Sequence, residues 1–236
     1  MITATQTETE EEDEEGREQI EKLRYLTSSV CECISSLVQH ASTTAFLPLG
    51  GEEGSSIVQR LSLVLCRCAA AADTDTDISL HCIGTMGFLG VKNDLVSATG
   101  STGFLKPKIN WLLSNSILRV LESLQGNKSD PQQNIYLFEM CLGAFIDLHS
   151  SDDVDILQNF IKLKSIEKLK AGLHIFEEIV REVSEDYKSK RESTKGKAVV
   201  AGDGDGDSNM EDVLTDFEET VLNSHSFIEY KANYCK

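Results

Sequence analysis

The chain has 236 residues, 40% of them hydrophobic, enough to bury an ordinary core for one domain. Its 22 Lys and Arg face 39 Asp and Glu, and the resulting charge of −17 repels nucleic-acid phosphate and anionic lipid while attracting basic proteins. Direct nucleic-acid or membrane binding is therefore not expected, and no stretch approaches the ~20 apolar residues of a membrane helix.

Met1 runs into Thr and Glu without the basic start and apolar run of a signal peptide. The block Glu8, Glu10, Glu11, Glu12, Asp13, Glu14 and Glu15 reads as a solvated, disordered tail over residues 1–17. From Ile20, apolar residues at Leu23, Leu26, Val30, Ile34, Leu37 and Val38 follow three- and four-residue steps, which predicts an amphipathic helix to about His40. Pro48, Gly50, Gly51 and Gly54 stop it. Ser55 is placed to cap a second helix carrying Ile57, Val58, Leu61, Leu65 and Cys66. The sequence DTDTD is a cap-rich break. Beyond it, Ile78, Cys82, Ile83, Met86 and Leu89 keep helical spacing although Gly84, Gly87 and Gly90 each weaken an isolated helix by about 1 kcal/mol relative to Ala, so packing has to hold this one.

Pro107 opens a helix with Ile109, Leu112, Leu113, Ile117, Val120, Leu121 and Leu124 on one side, and Gly126 stands where it stops. Asp130, Pro131 and Gln133 form a cap, a first-turn proline and a polar residue reaching back, starting a helix that runs to about His149. Asp152, Asp153 and Asp155 open the next stretch. Its stripe of Ile156, Phe160, Leu163, Ile166, Leu169, Leu173, Phe176 and Ile179 forms one helix or two, broken near Ser165 or Gly172. After Tyr187 the chain turns charged and Gly-rich, and a last helix is expected from Met210 with Val213, Leu214, Phe217, Val221 and Leu222, closed by Phe227, Ile228 and Tyr230.

No period-two strand pattern competes, so the fold class is all-α, and short helices paired over roughly 40 residues predict an armadillo or HEAT-like α-solenoid segment. The expected organisation is the acidic tail at 1–17, a helical domain at 18–187, a flexible charged linker at 188–208 and a C-terminal helix at 209–236 packed on the solenoid.

No catalytic constellation stands out, and an enzyme is not expected. His40, His81, His149, His174 and His225 show neither H-E-x-x-H spacing nor a nucleophile motif, and read as helix-face or boundary residues. The glycines of FLPLGGEEGSS and GTMGFLG do not make a phosphate loop, and no cofactor is expected. Asp203, Asp205 and Asp207 alternate as calcium ligands would, but Ser208 replaces the turn glycine and Leu214 the bidentate acid, leaving a flexible acidic linker. Lys188, Lys190, Arg191, Lys195 and Lys197 read as a solvated charge run ahead of a nuclear-localisation patch.

Seven cysteines among apolar neighbours suit thiols in a reducing compartment, which places the protein in the cytoplasm or nucleus. Cys31 with Cys33, and Cys66 with Cys68, make two C-x-C pairs, and Cys82 follows His81. Residues two apart on a helix point about 200° apart, so neither pair can grip one ion and no metal site is expected.

The run IYLFEMCLGAFIDLHSSDD, then FIKLKSIEKLKAGLHIFEEIVRE, then a linker and FEETVLNSHSFIEYK resembles the carboxy-terminal end of the symportin family of HEAT-repeat proteins. Leu142, Ala144, Phe145, Ile146 and Asp147 carry the likeness in the first segment, Leu169, Phe176 and Val180 in the second, and Leu222, Phe227, Ile228 and Tyr230 in the third. The resemblance implies a transport adaptor that escorts the two basic ribosomal proteins of the 5S particle to the nucleus, in large-subunit biogenesis. Symportins are several hundred residues long, so the chain looks like their carboxy-terminal part, and with no proline-tyrosine import signal the import receptor is not expected to bind through it. Glu10, Glu11, Glu12, Asp13, Glu14 and Glu15 would correspond to the family's acidic loop and are the partner-binding candidates. The alternative is a generic armadillo or HEAT scaffold joining other proteins.

Overall fold

A computed structural model describes residues 4–46, 53–70, 75–99, 103–126, 131–150, 153–195 and 206–234. Among them there is no strand, and the helices run α1 (Ala4–His40), α2 (Glu53–Ala69), α3 (Thr76–Ala98), α4 (Pro107–Gly126), α5 (Pro131–Leu148), α6 (Val154–Lys162), α7 (Ser165–Lys195) and α8 (Gly206–Tyr234), with a 3-10 turn at Thr43–Phe46. The all-α expectation holds. α1, α3, α5 and α8 each lie against the next, α2, α4 and α7 form a second row, and α6 sits against α4 and α7.

Several starts fall where side-chain chemistry puts them. Asp75 caps α3 by accepting the Ile78 amide at 3.1 Å. Pro107 opens α4, Pro131 opens α5, and Asp153 caps α6 through the amides of Asp155 and Ile156. The break in the long stripe comes before Ser165, with Lys164 held at φ 52°, whereas Gly172 continues α7. Lys164 is a non-glycine residue in the left-handed region, a conformation costing about 1 kcal/mol, and it turns the chain between α6 and α7.

Three boundaries differ from the expectation. α1 begins at Ala4 and runs through the acidic block, because Glu is a good helix former and the block holds no Gly or Pro before Gly16. α2 begins at Glu53, ahead of Ser55. α7 continues to Lys195, taking in part of the expected 188–208 linker, since Lys, Arg and Glu favour helix and Lys190 pairs with Asp186 one turn back at 2.6 Å. Residues 196–205 lie outside the described residues, as do Pro48, Gly50, Gly51 and Asp130.

The core centres on α3 and α5. Gly84, Gly87 and Gly90 recur every third residue along α3 and face Met140, Ala144 and Asp147 of α5. A Cβ on Gly87 would stand 3.1 Å from the Ala144 Cα, and one on Gly90 would stand 2.7 Å from the Asp147 carbonyl. The absent side chains let the two backbones touch, and that contact offsets the helix propensity given up. Around this seam Phe138, Phe145, Phe160 and Phe176 are fully buried. Phe160 meets Phe227 and Phe176 meets Phe217 edge-on, at centroid separations of 5.9 and 5.8 Å, which fixes α8 to α6 and α7.

The stripe on α1 is used only in part. Cys31 and Val38 are buried and Ile34 packs beside them, but Ile20, Leu23, Leu26, Val30 and Leu37 are exposed, because α3 and the 3-10 side of the fold offer only the last turns of α1 a surface. Lys92 of α3 helps hold that end, donating to the Ala41 carbonyl at 2.7 Å. Leu222 of α8 and Ile57 of α2, both expected in the core, are also exposed.

The seam makes a direct test. Gly90→Ala is expected to cost about 1–3 kcal/mol by forcing α3 and α5 apart, while Gly143→Ala, whose new Cβ meets nothing within 4 Å, gains up to about 1 kcal/mol from helix propensity. Urea denaturation of the two variants checks the difference in sign.

Candidate functional site

The same glycine stripe leaves a cleft where α3 and α5 meet α8. It holds about 280 Å³ and is lined by Gly84, Phe88, Glu139, Met140, Asp147 and Thr220 among others. Glu139 and Asp147 lie eight residues apart on α5, about 12 Å along the helix and about 80° apart around it, and both line the cleft. Glu139 accepts the Thr220 hydroxyl at 3.1 Å, and burial raises its carboxyl above the ordinary range. Burial, and then the neighbouring Asp94, push Asp147 up to about 6. Asp94 is itself raised by burial, against the opposing pull of hydrogen bonds from Ser150 and Asn93 and of the Lys231 charge. Among the described residues, the Lys–carboxylate pairs Glu18–Lys22, Glu122–Lys168 and Asp186–Lys190 all lie elsewhere. Glu139 and Asp147 are therefore half-dry acids facing an open cleft, an arrangement that favours an incoming cation.

Behind the cleft lies a sealed polar layer. Lys231, 2% exposed, sits 5.9 Å from the Phe227 ring and 5.4 Å from the Tyr230 ring, and its charge reaches Asp94 and His149. His149 Nε2 lies 2.8 Å from the Ser114 hydroxyl, which donates to the Asn110 carbonyl at 2.7 Å. Asn110 in turn donates to Leu148, and Asn159 donates to the Pro107 carbonyl and to Asn110. Burial first, and Lys231 second, lower His149 to about 3, so the imidazole is neutral. Ser114 and His149 are buried to 0% and 1% exposure, and His149 Nδ1 has no hydrogen-bond partner. The pair resembles part of a nucleophile dyad in composition, but it lacks access and an orienting acid, and it serves to tie α4 to α5. His149 is thus a core residue where a boundary residue was expected; His174 and His225 lie on exposed faces, His225 beside Glu177.

The cysteines part as helix geometry requires and then meet in a way that their spacing does not reveal. Cys33 is exposed while Cys31 is buried, and Cys66 turns toward the Leu112 carbonyl of α4 at 3.7 Å. Cys31 of α1, Cys68 of α2 and Cys82 of α3 bring their sulfurs within 4.8 Å of one another. Ser79 donates to the Ala69 carbonyl at 3.2 Å and so fixes the end of α2 beside Cys82. Burial raises the Cys31 thiol above its ordinary range and the Cys82 thiol well above it. The members of each C-x-C pair point apart, but one thiol from each joins a third, a grouping that spacing within one segment does not reveal. Among the described residues, these three cysteines are placed to hold a metal ion.

The side chains of Glu10, Glu11, Glu12, Asp13, Glu14 and Glu15 lie outside the described residues, as do Asp203 and Asp205. Asp207 falls within α8, and Lys188 and Lys190 on the exposed end of α7.

Two groups give opposite pH dependences. Asp147 has a folded pKa above its ordinary 3.8, so the native state loses stability as pH rises from about 4 to about 6. His149 has a folded pKa below its ordinary 6.5, so its contribution is whole above that pH and is lost as pH falls toward about 3. Asp147→Asn is expected to match wild type in stability near pH 4 and to exceed it at neutral pH, and urea titrations across this range read the crossover. Compared with known proteins, the chain matches no family model, no curated protein and no solved structure.

Proposed function

We propose that the chain is a non-enzymatic adaptor for basic proteins, built as an armadillo or HEAT-like solenoid segment. Following the symportin resemblance, its cargo is the basic ribosomal proteins of the 5S particle, and its work lies in nuclear import and large-subunit biogenesis, between cytoplasm and nucleus. The order of contacts, with α1, α3, α5 and α8 in one row and α2, α4 and α7 in another, supports the solenoid reading.

The observation that carries the cargo reading is the cleft in which Glu139 and Asp147 face outward with their carboxyls raised by burial. An Arg or Lys side chain entering there and meeting one of these acids favours its charged form, and charge-assisted hydrogen bonds in a half-dry site are stronger than their surface counterparts. The charge of −17 adds long-range attraction that weakens with salt. A basic ribosomal protein needs such shielding until it meets RNA. The exposed Leu23, Leu26 and Leu37 of α1 and Leu63 of α2 favour a second reading, a general scaffold that also engages apolar partners.

The test is capture of the two 5S-associated ribosomal proteins at low and moderate salt, beside an unrelated basic protein. Selective capture that survives moderate salt is expected, and Glu139→Gln with Asp147→Asn should weaken it at least about tenfold, the loss of one charge-assisted hydrogen bond of about 1.5 kcal/mol or more. Capture of every basic protein alike, vanishing with salt, overturns the cargo reading and leaves an acidic helical scaffold.

A further inference from the structure

Cys31, Cys68 and Cys82 come from three different helices, separated by tens of residues, yet their three Sγ atoms lie within 4.8 Å of one another, and the Cys31 and Cys82 sulfurs are 3.7 Å apart. Two thiolates bound to one tetrahedral ion at about 2.3 Å stand about 3.8 Å from each other. Cys31 and Cys82 are therefore already at the separation of two ligands, and Cys68 reaches the same geometry with a shift of no more than about 1 Å. Cys31 and Cys82 are buried, while Cys68 is half-exposed and marks the side from which an ion enters.

We propose that these three cysteines form a binding site for one thiophilic divalent metal ion of the zinc class, with its fourth coordination position open on the Cys68 side. Soft sulfur donors select against calcium and magnesium. Charge favours a divalent over a monovalent ion: three thiolates leave one net negative charge around the first and two around the second, in a partly dry site that already feels the Asp75 carboxylate. Binding exchanges three thiol protons, released to solvent, for the ion, whose charge stabilises thiolates that burial alone disfavours. Bound metal would fasten α1, α2 and α3 together at one point.

The experiment is titration of the reduced, chelator-stripped chain with Co2+, a spectroscopic stand-in for zinc. One equivalent is expected to produce a thiolate-to-cobalt charge-transfer band that Zn2+ abolishes. Cys68→Ser, at a half-exposed position, should keep the helical circular dichroism and weaken Co2+ binding by more than the about 10- to 100-fold that loss of an outer-shell partner costs. Cys33→Ser and Cys66→Ser should leave band and affinity unchanged. The site is overturned if the band is absent, if Cys68→Ser retains it at full affinity, or if either control abolishes it.

Discussion

The close approach of α3 to α5 is the contact on which the rest of the molecule depends. Glycines at every third position of α3 let a helix that is weak in isolation come against the backbone of its neighbour. α3 also carries α1 and α2, and α5 also carries α4, α7 and α8, so each remaining helix except α6 is placed by one of these two. The seam positions the candidate site as well as the core. The cleft exists because the small side of α3 faces Met140 and Ala144, and its acids stand on the same helix that forms the seam.

Charge is handled differently on the two sides of that helix. Toward the cleft, Glu139 and Asp147 stay half-dry, and burial raises both carboxyls above their ordinary range. Toward the interior, Lys231 is buried among aromatic rings beside a neutral His149, where the ring faces and the Asp94 carboxylate compensate its charge. One acid-rich sequence thus yields an outward surface seeking cations and an interior that keeps one. The total charge would not distinguish them.

Much of this was legible in the sequence wherever a local rule acts. Asp75, Pro107 and Asp153 announce their helices because capping and proline geometry are settled within four residues. Ser165 begins α7 as one of two anticipated break points. Periodicity finds an apolar stripe but not its cover, which is why Leu23, Leu26 and Leu222 were expected inside and stand exposed. The acidic block reads as solvated in the sequence, and solvation does not forbid the helix that runs through it. Asp147 was visible only as part of a core-like pattern, since its burial and its nearness to Asp94 arise from pairing α3 with α5. The three thiols escaped for the same reason: helix geometry separates Cys31 from Cys33, but nothing local says that Cys82, 51 residues on, completes the group.

The way α1 is attached sets the order in which the fold comes apart. Among the described residues its buried apolar grip is Cys31, Ile34 and Val38, with the Lys92 bond at its end, mainly against α3 and at Cys31 also beside Cys68 of α2, while α3 itself is locked by α5. α1 can therefore lift away without opening the Phe138, Phe145, Phe160 and Phe176 core, a sub-global opening whose free energy is well below that of complete unfolding. In hydrogen exchange, the amides of α1 are expected to belong to a fast cooperative unit and those of α3 and α5 to the slowest, so the first surface exposed on opening would be the one that carries Cys31 and Cys82.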